Sequence, residues 1–145
     1  MKKIVLIALG VAMMSMMPGW QTNFVKAKEE ANKEHKYLLL SFSGSDWCLP
    51  CIRTRKEIFD NKSFEAFANT DLVLVNADFP RLKKNKLSKE QSKENDELAD
   101  KYDKKGVFPL TILFDAEGKI VKEWTGFPGE DVNKFIEQIK SLEHR

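Results

Sequence analysis

Phe42-Ser43-Gly44-Ser45-Asp46-Trp47-Cys48-Leu49-Pro50-Cys51 is the stretch from which the remainder of the chain is read. Behind it, Tyr37-Leu38-Leu39-Leu40-Ser41-Phe42 is nearly continuous in apolar character, which suits a central strand buried on both faces. Ahead of it a helix is expected from about Cys48 to Phe59. Ile52, Ile58 and Phe59 should pack inward, while Arg53, Arg55, Lys56 and Glu57 mostly face water. Two cysteines therefore sit at a strand-to-helix junction, three positions apart. That spacing puts both sulfurs on one face of the first helical turn.

The chemistry follows from this placement. The first turn of a helix carries unpaired backbone N–H groups and the positive end of the macrodipole. A thiolate at Cys48 is stabilised there and becomes the attacking species. Cys51, one turn on, can resolve the mixed disulfide. Cys48 is expected to be the exposed nucleophile and Cys51 the more buried partner. Pro50 is tolerated because its missing N–H would have had no helical partner. Other uses of the pair fare worse. A structural zinc site needs about four ligands, whereas the chain has two cysteines and its two histidines, His35 and His144, are distant. Haem attachment needs a histidine after Cys51, where Ile52 stands. A purely structural disulfide stays open, although so short a loop adds little stability.

Trp47-Cys48-Leu49-Pro50-Cys51 after an apolar strand resembles the active site of thioredoxin-like proteins. Gly106-Val107-Phe108-Pro109-Leu110-Thr111-Ile112-Leu113-Phe114 resembles the segment that carries their cis-proline. Gly44-Ser45-Asp46-Trp47-Cys48 together with Asp78-Phe79-Pro80-Arg81 is similar to exported bacterial members of that superfamily. The likeness spans residues 20 to 143. It implies a cis Phe108–Pro109 bond beside the cysteines, with the Phe108 backbone turned to an incoming chain. From the residues alone, an ordinary trans proline at a strand start remains the alternative. The resemblance also implies a redox disulfide, Cys48–Cys51, in place of any cofactor or metal.

The length of 145 residues fits one domain, and 42% hydrophobic with 32% charged residues fits a chain with its own core. Met1-Lys2-Lys3 and the apolar run Ile4 to Met17 have the form of a secretory signal peptide, too short to span a bilayer comfortably. We divide the chain into a signal peptide, 1–18, with cleavage between 15 and 27, and a thioredoxin-like domain, 19–145. Cutting after Ala27 meets the small-residue rule but would destroy a helix capped by Thr22 or Asn23. Of the 24 basic side chains, 22 remain once Lys2 and Lys3 are removed, against 22 acidic ones. That balance gives no warrant for nucleic-acid binding. Export leads to a periplasmic or secreted location, where disulfides persist.

The mature chain then reads as a helix over about 22 to 35, the Tyr37 strand, the cysteine helix, and a short helix from Asn61 or Ser63 with Phe64, Phe67 and Ala68 inward. Next come a strand over Leu72 to Asp78, a charged segment over 80–105, and strands flanking the turn Asp115-Ala116-Glu117-Gly118. A final helix has Val132, Phe135, Ile136, Ile139 and Leu142 at helical spacing. Trp20 is expected to cover the sheet edge. Within 80–105, Ser88-Lys89-Glu90-Gln91 fits a capping box, and the helix behind it offers a thin stripe of Leu98, Ala99 and Tyr102. This segment, an insertion relative to a minimal thioredoxin, reads as a solvated helix at the sheet edge or as a docking surface for an acidic partner. The fold class is α/β: a thioredoxin-like, four-stranded mixed sheet flanked by helices, with a helical insertion before the cis-proline strand.

Leu49 and Pro50 place no charge between the cysteines, and Asp46 would raise the Cys48 pKa. Both features favour a reductant. Thioredoxins usually hold a buried carboxylate under the active site, where this chain has Ser41, so Cys51 would lose its proton to solvent or to Asp46. The expectation is a monomeric protein-disulfide reductase acting through Cys48 and Cys51, with Asp46, Trp47, Leu49, Pro50, Phe108 and Pro109 in support. Its partners are protein disulfides and a membrane or exported electron donor. A disulfide isomerase or oxidase, or a binding adaptor with secondary redox activity, are the rival readings.

Overall fold

The computed structural model describes residues 19–129 and 131–143. The expected export segment, 1–18, lies outside them. Five strands form one mixed sheet: β1 (Trp20–Gln21), β2 (Tyr37–Ser43), β3 (Leu72–Asp78), β4 (Leu110–Phe114) and β5 (Ile120–Thr125). Their order is β1-β3-β2-β4-β5. β1 and β2 run parallel to β3, whereas β4 is antiparallel to β2 and to β5. The fifth strand corrects the four-stranded expectation. β1 is two residues long, too short to show any periodicity, and exists only because Trp20 and Gln21 meet Leu74 and Val75 at the free edge of β3. Trp20 does cover that edge, its ring 4.9 Å from that of Phe59.

Side-chain alternation along β2 sorts the core into two layers. Leu38, Leu40 and Phe42 face α1 (Phe24–Glu34), joined by Val73, Val75, Ile112 and Phe114. Leu39 faces the other layer, with Leu74, Leu113, Phe64 and Phe135. That second layer is closed by α3 (Lys62–Asp71) and α5 (Val132–Glu143), from which Ile139 and Ile136 are also buried. By the same alternation Ser41 points to the Leu39 side, the side of the cysteine helix. Phe-rich burial of this kind contributes about 1.5–3 kcal/mol per large side chain, and it fixes the end of β2 from which the site projects.

Local signals explain the helix ends. Asn23 caps α1 through its side chain, which accepts from the Lys26 N–H, and His35 closes it in a left-handed conformation. Asn61 caps α3. The helix after the cysteines departs from expectation. α2 (Leu49–Thr54) continues into a wide turn over Arg55–Phe59, where the Asp60 N–H bonds to the Arg55 carbonyl at 2.8 Å. The widened turn lets Ile58 and Phe59 both enter the core, while Ile52 stays 41% exposed, contrary to the inward position expected for it.

α4 (Lys89–Tyr102) is more firmly docked than a solvated edge helix. Leu98, Ala99 and Tyr102 pack on the α1 layer, and the Tyr102 ring lies 5.6 Å from Phe24 and 5.3 Å from Phe114. The buried Asn95 donates to the Asp78 carbonyl at 2.9 Å and accepts from Gln91. Ser88 Oγ accepts from the Gln91 N–H. The Gln91 side chain does not complete the capping box, because it reaches the Thr22 carbonyl and Asn95 instead.

At the end of α5, burial and a hydrogen bond with Asp71 raise the Glu143 carboxyl to about 7. Between its ordinary value of 4.5 and about 7 the folded state therefore holds a proton that the unfolded chain has lost. Stability from this group is complete below that window and falls as pH rises through it. Urea midpoints should decline from pH 4.5 to 7 in the parent protein and less so in Glu143→Gln. Equal declines in both would remove Glu143 as the cause.

Candidate active site

The end of β2 turns into α2 through Gly44-Ser45-Asp46-Trp47. The Gly44 carbonyl accepts from the Cys48 N–H at 2.9 Å and from the Trp47 N–H at 3.3 Å. A β-carbon at Gly44 would overlap the Trp47 indole, so glycine is required by close approach. Cys48 is the N-cap of α2, with extended backbone and a side chain that accepts from the Cys51 N–H at 3.3 Å. Pro50 lies within the first turn, where it leaves no donor unpaired. Cys48 and Cys51 are joined as a disulfide.

Exposure does not separate the two sulfurs as expected: Cys48 is 5% exposed and Cys51 3% in the disulfide form. Hydrogen bonding does separate them. Cys48 Sγ faces the helix-start N–H of Cys51, whereas Cys51 Sγ is reached by the Gly44 N–H at 3.5 Å from the strand side. Leu49, 77% exposed, forms the outer lip of the pair.

The Phe108–Pro109 bond is cis, as the resemblance implies. Pro109 and Cys51 line one cavity of about 20 Å³ together with Ser41, Ser43, Thr54 and Asn76. That volume suits a single water. Ser41 stands between Asn76 of β3 and Thr111 of β4 in register, and none of the cavity's lining residues carries a carboxylate. The approach to the cis bond is set by Asp103, buried at the end of α4. Its Oδ1 accepts from the Val107 N–H at 2.8 Å, while burial raises its pKa.

Trp47 is held on several sides. Its Nε1 donates to the Phe79 carbonyl at 2.7 Å, its ring meets Phe108 edge-on at 5.6 Å, and the Arg81 guanidinium lies 3.6 Å over it. Asp78 accepts from Ser45 through N–H and hydroxyl. Asp46 is turned away from any role as a base for Cys51. Its carboxylate accepts from the Arg81 and Leu82 N–H groups at 2.9 and 3.0 Å and from the Asn85 side chain at 3.0 Å. Those bonds, the Arg81 one foremost, lower its pKa. Arg53 and Arg55 are half-exposed, in keeping with the expectation that they face water: Arg53 bonds Glu57 and covers Phe127, while Arg55 faces Asp60 and lines the cavity beside Cys51. Sequence reasoning missed Asp78, Asn95 and Asp103 as organisers. Asp78 and Asp103 stand where β3 and α4 end, whereas Asn95 lies within α4 and carried no signal of its own. Among the described residues, no cluster of three His, Cys, Asp or Glu side chains could hold a metal ion.

Comparison with known proteins agrees with this geometry. Residues 24–140 match the family model of the thioredoxin-like domain. The chain belongs to the thioredoxin-like family, whose disulfide oxidoreductases act through a cysteine pair and need no external cofactor. It is 35% identical over 122 residues to the disulfide bond reductase DsbH of Chlamydia pneumoniae, covering 84% of this chain and 70% of that protein. A solved DsbH oxidoreductase superposes with a TM-score of 0.75 at 34% identity, over 87% of this chain and 84% of the other. A thioredoxin from Thermus thermophilus, at 14% identity and a TM-score of 0.61 over 87% and 88% of the two chains, shares the fold. The chain is thus similar to DsbH-type thiol–disulfide oxidoreductases, with its cysteine pair bonded.

Because Asp46 accepts through a lowered pKa, its hold on the 81–85 loop persists above the ordinary carboxylate range and is lost as pH falls through the depressed value. The amide proton shifts of Arg81 and Leu82 should stay fixed until the pH lies below that ordinary range, and Asp46→Ala should speed their hydrogen exchange about tenfold. Exchange unchanged by the substitution would show that the loop is held otherwise.

Proposed function

We propose that this protein is an exported thiol–disulfide oxidoreductase that works in the reducing direction on protein disulfides. The observation that carries the reading is the Cys51 N–H directed at Cys48 Sγ at the start of α2. In the reduced protein that donor favours the Cys48 thiolate over the thiol. The thiolate attacks one sulfur of a client disulfide, a new bond forms to Cys48 Sγ, and the client's other sulfur leaves as a thiolate. Cys51 gives up its proton and attacks Cys48 Sγ, releasing the client's second thiol. Two electrons pass to the client, and the protein is left with the Cys48–Cys51 disulfide seen here.

The remaining site residues have supporting parts in this scheme. Trp47, Leu49 and Pro50 shape the surface around the nucleophile, and the backbone of Phe108 ahead of cis-Pro109 offers strand-like hydrogen bonds to the client. Asp46 acts through the loop it holds. The absence of charge at Leu49 and Pro50 supports the reducing direction, as does similarity to a protein named a disulfide bond reductase. Repeated turnover then needs an exported or membrane-bound dithiol donor. The basic and apolar start of the chain supports export, and we assign the protein to the periplasm or the exterior, as a monomer.

Insulin disulfides should be reduced in the presence of dithiothreitol, and Cys48→Ser should abolish the catalysed rate. Cys51→Ser should accumulate mixed disulfides with clients. The reduction potential should lie near about −270 mV, not near about −120 mV. A Cys48→Ser protein as active as the parent, or a potential at the oxidising end, would refute the reductase.

A further inference from the structure

The segment that the cysteine chemistry does not use is the basic run after β3. It walls a groove of about 720 Å³ that reaches the active site. Trp47, which precedes Cys48, and Phe108, which precedes Pro109, both line it, so the groove opens where a client disulfide would lie. Its volume is that of a site for a ligand segment. Four exposed cations line it: Arg81, Lys83, Lys86 and Lys89. Among the described residues none of the four forms an ion pair. The one carboxylate on the wall, Asp78, is already engaged by Ser45. Leu82, 47% exposed, adds an apolar edge, and its N–H is pinned to Asp46.

This concentration of charge is local. Without Lys2 and Lys3 the acidic and basic side chains balance at 22 each, yet one groove beside the thiols is lined by four cations against one occupied carboxylate. Such a field recruits anionic groups and repels cationic ones. The aromatic floor and the concave shape suit a chain laid along it better than a flat headgroup layer.

We propose that this groove is a specificity site that takes an extended polypeptide flank bearing acidic and apolar side chains, next to the client's disulfide. The proposal rests on the redox reading for the identity of the occupant, and it is tested separately from it. Oxidised protein is titrated with short cysteine-free peptides rich in Asp, Glu, Leu and Phe, and with counterparts in which Asn and Gln replace the acids, following tryptophan fluorescence. The acidic peptides should bind about tenfold more tightly at low salt, with the difference shrinking as salt is added. Lys83→Glu/Lys86→Glu/Lys89→Glu should reverse the preference. In single turnovers of the reduced protein, the disulfide-linked acidic peptide should react faster than its amide counterpart by a similar factor.

Equal affinity for both peptides overturns the proposal, as does a triple variant that keeps the acidic preference. Binding to anionic phosphatidylglycerol vesicles with no peptide binding also overturns it, in favour of a membrane contact. Failure to reduce neutral 2-hydroxyethyl disulfide would sink the redox reading alone, and the cysteine-free peptides would still decide the groove.

Discussion

The backbone N–H of Cys51 aimed at the sulfur of Cys48 is the contact around which this molecule is arranged. It exists because a buried strand ends where a helix must start, and the first donors of that helix have no carbonyl to meet. Gly44 makes the turn tight enough, since its carbonyl takes the Cys48 N–H and its open face admits the Trp47 ring. Pro50 stiffens the first turn without removing a useful donor. The large buried side chains of β2 hold the strand end in place on two faces. Stability of the core and reactivity of the thiol are therefore properties of one junction.

A second constraint acts from the opposite side. Carboxylates in the turn after β2 and at the ends of β3 and α4 fasten the loops that flank the thiols. Asp78 grips Ser45, Asp46 grips Arg81 and Leu82, and Asp103 grips Val107. The result is a walled approach to the disulfide whose charge comes from the segment that the core does not need. Beneath the pair, the cavity beside Cys51 is lined by hydroxyls, an amide and Arg55 but by no carboxylate. A buried carboxylate there would have carried a desolvation cost that Ser41 avoids.

What the sequence disclosed was whatever depends on nearest neighbours and simple periods. The apolar runs at Tyr37 and Leu72, the caps at Asn23 and Asn61, and the α5 stripe of Phe135, Ile136 and Ile139 reappear as expected. The cysteine junction and the cis-proline were legible because their residue types recur in a fixed order. Features made by distant partners were not. β1 is a product of the β3 edge, and the widened turn over Arg55–Phe59 has no composition of its own. Asp46 looked like a modulator of its neighbour Cys48, yet its partners lie 35 to 39 residues away. Asn95 sits in a segment whose composition suits a solvated helix, yet it is buried and donates to the Asp78 carbonyl.

The most direct measurement is the ionisation of each thiol in the reduced protein, followed by pH-dependent alkylation of single-cysteine variants. The account predicts that Cys48 titrates clearly below the free-cysteine value of about 8.5 and that Cys51 titrates above Cys48. Two thiols titrating together at or above about 8.5 would contradict it, because the helix start would then confer no advantage on either sulfur.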